Sequence, residues 1–141
     1  MIESLRWSNL SFAYNADAPI FEDVTFDFPL ESTVALRTHG TTGRSTLLKL
    51  MTGLLRPRLG TYYINDHAVS DMSFEEFLPW RQRMGYSFDF GGLLNNRSLR
   101  DNLLLPLQYH RPHWSDDGEL WAEQLLDVFG LGVDSHAKPA E

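Results

Sequence analysis

Thr33-Val34-Ala35-Leu36-Arg37-Thr38-His39-Gly40-Thr41-Thr42-Gly43-Arg44-Ser45-Thr46-Leu47-Leu48-Lys49-Leu50-Met51 is the stretch on which the fold turns. Residues 33–37 are short and largely apolar, as a buried strand would be. From Ser45 to Leu55 the residues Leu47, Leu50, Met51 and Leu54 fall on one helical stripe, so a helix is expected, stopped by Pro57. Between the two lies a loop of small residues, 38–44. Strand, small-residue loop and helix head in that order aim backbone N–H groups at a common point, where an anion is stabilised.

The phosphate-loop pattern G-x-x-x-x-G-K-[ST] aligns with residues 38–45. Gly43 and Ser45 match, Thr38 stands in place of the first Gly, and Arg44 replaces the Lys. Thr is β-branched and avoids backbone angles that Gly allows. Arg keeps the charge but is a planar fork rather than a point donor. On this reading His39, Gly40, Thr41, Thr42, Gly43, Arg44, Ser45 and Thr46 would surround a phosphate, with the Ser45 hydroxyl on magnesium. The loop taken alone is equally a Thr-rich turn before a helix.

The flanks extend an α/β pattern. Residues 2–7 alternate as a strand, and 15–19 form a turn cluster. Residues 21–28 place Val24, Phe26 and Phe28 on one face of a second strand ended by Pro29. A strand over 60–64 turns at Asn65-Asp66. Ser73 and Glu76 have capping-box spacing at the head of a helix over 73–81, its end made irregular by Pro79. Residues 84–88 read as a strand and 89–96 as a Gly- and Asn-rich loop. Ser98 caps a helix broken by Pro106, and 110–117 form a second loop. A helix over 119–129 sets Leu120, Leu125, Val128 and Phe129 near one face and stops at Gly130, before a structureless tail over 134–141.

Bulk properties exclude several classes. A net charge of −7 with scattered arginines argues against a general nucleic-acid binder. The absence of cysteine removes disulfides and Cys-based zinc sites and fits a reducing compartment. No run approaches the roughly 20 apolar residues of a bilayer span, so a cytoplasmic location is expected, with any membrane role reached through a partner. His110 and His113 do not read as a metal pair, because Pro112 prevents a shared helix face. Asp116, Asp117 and Glu119 read as favourable charge at a helix N-terminus. Trp80, Trp114 and Trp121 read as packing residues.

Five segments together resemble ABC-transporter ATP-binding subunits: residues 8–14 ending in Tyr14, 20–26, 45–57, 84–88, and 99–103. The resemblance covers about residues 2–133. It implies a P-loop NTPase fold, here a partial domain with an N-terminal antiparallel β subdomain, an incomplete parallel core sheet and the start of the helical subdomain. It implies that Tyr14 stacks on adenine. It puts Asp89 where the family carries the Q-loop Gln that contacts magnesium and links the nucleotide to the membrane partner. ATP and Mg2+ are the implied cofactors. A transmembrane permease subunit, and possibly a second ATP-binding subunit, are the implied partners, at the cytoplasmic face of the membrane.

The family's signature, magnesium-Asp strand, catalytic Glu and switch His are not found, and no catalytic residue is assigned. The chain is therefore expected to be a truncated ATP-binding component, 1–133, unable to hydrolyse ATP alone. Two alternatives stay open: a non-enzymatic module whose surface around 90–107 docks a membrane subunit, and an inert truncated product.

Overall fold

The computed structural model describes residues 1–37, 43–110 and 115–139, which form two compact units, 1–86 and 87–141. The first unit is built on a four-stranded antiparallel sheet in the order β2-β1-β3-β4. Its strands are β1 (Leu5–Asn15), β2 (Ala18–Phe28), β3 (Leu59–Ile64) and β4 (His67–Ala68). Helices α1 (Arg44–Met51) and α2 (Phe74–Arg81) complete it.

Strand β1 runs well past the expected end at Trp7. Trp7 and Leu10 are both buried although three positions apart, because a bulge at Asn9 inserts an extra residue into the alternation. Asn9 sits in the left-handed region at φ 50, and its side-chain amide donates to Asp23 Oδ1 at 2.7 Å. Asp23, itself at φ 51, donates its N–H to Ser11 Oγ. Gly60 on β3 lies so close under this bulge that a Cβ there would overlap the Asn9 carbonyl oxygen. Period two therefore shifts within the strand, and Ser11, Phe12 and Tyr14 belong to the same ladder as Trp7.

One core holds the unit together: Trp7, Leu10, Phe12, Leu50, Tyr62, Ile64, Val69 and Phe77. The sheet supplies most of it, α1 contributes Leu50, and α2 contributes Phe77. Of the three residues expected on the inner face of β2, Val24 and Phe28 pack against this core while Phe26 remains 48% exposed. The capping box forms as expected, with Glu76 N–H donating to Ser73 Oγ and Ser73 N–H donating to a Glu76 carboxylate oxygen. Pro79 is carried inside α2. Helix α1 stops at Met51 rather than at Pro57, because Gly53 turns the chain at φ 68 with its α-carbon against the Phe77 ring.

Two expected strands do not form. Residues 33–37 are exposed and in no ladder among the described residues, and 84–88 lie in none either, although Met84, Tyr86 and Phe88 are half-buried in alternation with exposed Gly85 and Ser87. The parallel core sheet is thus not present among the described residues. A strand exists only within a ladder, and neither segment is part of one among the described residues.

The second unit pairs α3 (Leu99–His110) with α4 (Ser115–Val128), followed by a 3-10 turn, Gly132–Asp134. Ser98 caps α3, its Oγ accepting from Asp101 N–H. The helix runs through Pro106 instead of breaking there. Gly118 of α4 lies close to Leu104 and Leu107, on either side of the proline. The inner face of α4 is Gly118, Ala122 and Leu126 with Leu125 at its margin, while Leu120, Val128 and Phe129 are exposed. Close approach of two helices favours small residues over the large ones expected there. As far as Pro139 the tail is not free: the Ala137 and Ser135 carbonyls accept the otherwise orphaned N–H groups of Leu99 and Arg100.

Candidate functional site

The helix side of the expected phosphate loop is present. Gly43 is the N-cap of α1, at φ 96, and its carbonyl accepts Leu47 N–H at 2.8 Å. Among the described residues no side chain caps this helix, and no acid lies in its first turn. A carboxylate or hydroxyl that capped it would compete with an incoming anion. Arg44 and Ser45 are both exposed at this end, and Thr46 is buried. His39, Gly40, Thr41 and Thr42 lie outside the described residues.

Tyr14, at the end of β1, is brought to the same place. Its hydroxyl and Thr46 Oγ1 are 3.3 Å apart, a hydrogen bond in which either can donate. The ring meets Phe12 edge-on at 5.0 Å between centroids, and Arg58 donates to the Tyr14 carbonyl at 3.2 Å. Held from these sides, Tyr14 is still 53% exposed. Phe12 and Arg58 are supports that the sequence did not single out, and nothing in their local spacing marks them.

Asp89 belongs to the second unit and is exposed. No cluster of three or more His, Asp or Glu able to hold a metal occurs among the described residues. The second unit has an apolar hollow of about 250 Å³ lined by Leu93, Leu99, Leu103, Leu125 and Phe129. Asn102 closes the loop beside it, accepting Leu94 N–H at 2.7 Å and donating to the Leu94, Arg97 and Ser98 carbonyls. No described helix is long and apolar enough to cross a membrane.

Comparison with known proteins agrees with this arrangement. A profile of the ABC transporter family matches residues 21–140. The chain is 34% identical to the lipoprotein-releasing system ATP-binding protein LolD of Hydrogenovibrio crunogenus, covering 97% of this chain and 61% of that protein. It is 31% identical to the cell division ATP-binding protein FtsE of Haemophilus influenzae, covering 97% and 63%. Among solved structures, a dimeric bacterial ABC transporter cassette, MJ0796, superposes with a TM-score of 0.81 at 19% identity, over 96% of this chain and 62% of that one. An ATP-binding subunit of an ABC transporter superposes with a TM-score of 0.74 at 27% identity, over 99% and 55%. The chain spans about three fifths of the length of these two relatives. The P-loop NTPase reading of the fold thus holds through the antiparallel subdomain and the helices, and the chain belongs to the ABC transporter family.

Proposed function

We infer that this chain binds a nucleoside triphosphate at the head of α1, as the ATP-binding component of a membrane transporter, and that it does not hydrolyse ATP unaided. The observation that carries this reading is the uncapped, acid-free start of α1 behind a left-handed Gly43, with a half-exposed Tyr14 ring tied to its first turn. Backbone N–H groups at that start would hold the phosphates, with Arg44 adding charge, and Tyr14 would stack on the base.

Residues 38–46 suit a phosphate cradle at the end that is described. Magnesium would be held by the Ser45 hydroxyl together with the phosphates. Bound there, the ion would neutralise charge on the terminal phosphates. No catalytic base is assigned in this sequence, so hydrolysis by the chain alone should be negligible. A transmembrane permease subunit, and a second ATP-binding subunit, would be the partners, with the chain at the cytoplasmic face of the membrane.

The test is titration with a fluorescent ATP analogue, with and without magnesium, followed by a single-turnover hydrolysis assay. Saturable binding displaced by ATP, with no phosphate release above buffer, is expected. No displaceable binding would refute nucleotide recognition, and steady turnover by the purified chain would refute the lack of hydrolysis. A second reading, docking of a membrane subunit without nucleotide, draws on the apolar hollow of the second unit. Stable co-purification with a permease subunit from a chain that has no nucleotide affinity would favour it.

A further inference from the structure

The first unit holds a cavity of about 150 Å³ at the end of α1 remote from Gly43, walled by residues of α1, β3 and α2 and the loops that join them. Leu50, Leu55, Phe74 and Phe77 form much of its apolar wall, and Arg56, Tyr62, Ser70, Ser73 and Arg81 its polar wall. A cavity of this size holds a single benzene-sized ring.

The polar wall is made of donors. Tyr62 is 3% exposed, and its hydroxyl meets no hydrogen-bond partner among the described residues. A buried hydroxyl left unmatched lowers stability. Burial pushes its ionisation above the ordinary phenol range, so the group stays a neutral O–H. Ser70 Oγ accepts Tyr62 N–H at 2.8 Å, and Ser73 Oγ accepts Glu76 N–H at 3.3 Å. Each of these hydroxyls keeps its own hydrogen to donate. Arg56 gives one N–H to the Met72 carbonyl at 2.8 Å, and Arg81 lies over the Phe74 ring, 5.4 Å from its centroid. Neither guanidinium has a carboxylate partner among the described residues. The Glu76 carboxylate accepts Ser73 N–H and is not part of the wall. Paired cationic forks and a buried O–H beside an apolar wall match an anionic head on a compact apolar body.

We propose that this cavity binds a small carboxylate with a one-ring or branched apolar body, the carboxylate held by Arg56, Arg81 and the Tyr62 hydroxyl and the body set against Leu50 and Phe77. The planar guanidinium fork suits the planar carboxylate. Phosphate alone would leave the apolar wall unfilled. The site is separate from the head of α1 and does not depend on nucleotide.

The experiment titrates the chain with benzoate, benzamide and inorganic phosphate, read by ligand-observed NMR and by the shift in thermal midpoint, for the wild-type chain, Tyr62→Phe, Arg56→Gln and Arg81→Gln. Benzoate should saturate in the millimolar range expected of so small a ligand and raise the midpoint. Benzamide, which keeps the ring and lacks the charge, and phosphate should each bind about tenfold more weakly. Each arginine variant should weaken benzoate about tenfold, the scale of a lost charged hydrogen bond. Tyr62→Phe should weaken it likewise, yet be no less stable than wild type without ligand, because an unmatched buried hydroxyl has gone. No saturable benzoate binding overturns the site, as does benzoate affinity unchanged in the arginine variants. Benzamide binding as well as benzoate overturns the anionic head, and phosphate binding as well overturns the apolar body. A Tyr62→Phe chain less stable than wild type without ligand overturns the part given to the hydroxyl, and the two arginine variants then still decide the carboxylate.

Discussion

Gly53 is where packing and backbone geometry can be separated most cleanly. It ends α1 at φ 68, and a Cβ built on it would lie 2.7 Å from Phe77 Cδ1 and closer still to Cε1. Phe77 is 8% exposed and belongs to the same core as Leu50, Tyr62 and Val69, so its ring cannot swing into solvent. Gly53→Ala therefore meets two costs. Left-handed backbone costs an L-residue about 1–2 kcal/mol. Forcing a methyl into a packed ring costs about 1–3 kcal/mol more. The sum, about 2–5 kcal/mol, is a large share of the roughly 5–15 kcal/mol that keeps a domain folded. Gly43→Ala, at the other end of the same helix, is the control. Its φ is 96, but its nearest neighbour, Phe21 Cζ, would be 3.4 Å away, an ordinary contact, so only the backbone cost applies. Urea unfolding followed by tryptophan fluorescence reports on this core through Trp7, which is 1% exposed. Gly53→Ala should be the more destabilised by about 1–3 kcal/mol, and Phe77→Leu in the same chain should recover part of the difference. Equal midpoints for the two alanine variants would refute the argument that the Phe77 ring is the obstacle.

Other expectations follow from the remaining contacts. Ser73→Ala removes the cap of α2 and should cost about 0.5–2 kcal/mol in urea unfolding. Glu76 is held below its ordinary value near 4.5 by hydrogen bonds from the Ser73 backbone and side chain. Its contribution to stability is therefore complete above that value and lost as pH falls through the lowered one, and Glu76→Gln should flatten this part of an acid titration of stability. Arg100 bridges α3 to Glu119 at 3.1 Å and to Glu123 at 3.9 Å. Both carboxylates are exposed, so Glu119→Gln should cost under about 1 kcal/mol, an effect that high salt removes. Asn102→Ala frees the loop beside the apolar hollow, and tryptic cleavage after Arg97 should become faster while α3 remains helical by circular dichroism.

The start of α1 was legible because it depends on short-range chemistry. A loop glycine at 43 and apolar residues at helical spacing are visible in 43–51, and α1 forms there with Gly43 at positive φ. The Ser73–Glu76 box and the Asn65-Asp66 turn, with φ of 49 and 63, were equally local. What escaped reading was set at a distance. The bulge at Asn9 hides the length of β1, since its cause is the polar clasp to Asp23 and the approach of Gly60. Pro106 looked like a helix breaker, yet α3 carries it inside Leu99–His110, with Gly118 of α4 close to Leu104 and Leu107 on either side.

Local residue chemistry was enough to establish the Ser73 and Ser98 caps, the turn at Asn65-Asp66 and the resemblance that names the family, because each depends on neighbours within a few positions. Tertiary structure alone decided that Tyr14 and Thr46 meet, that small residues form the inner face of α4, and that 33–37 and 84–88 stay outside any ladder. The physical reason is common to all three. A ladder or a packed face needs a second group from far along the chain, and a strand-like sequence outside a ladder is not a strand.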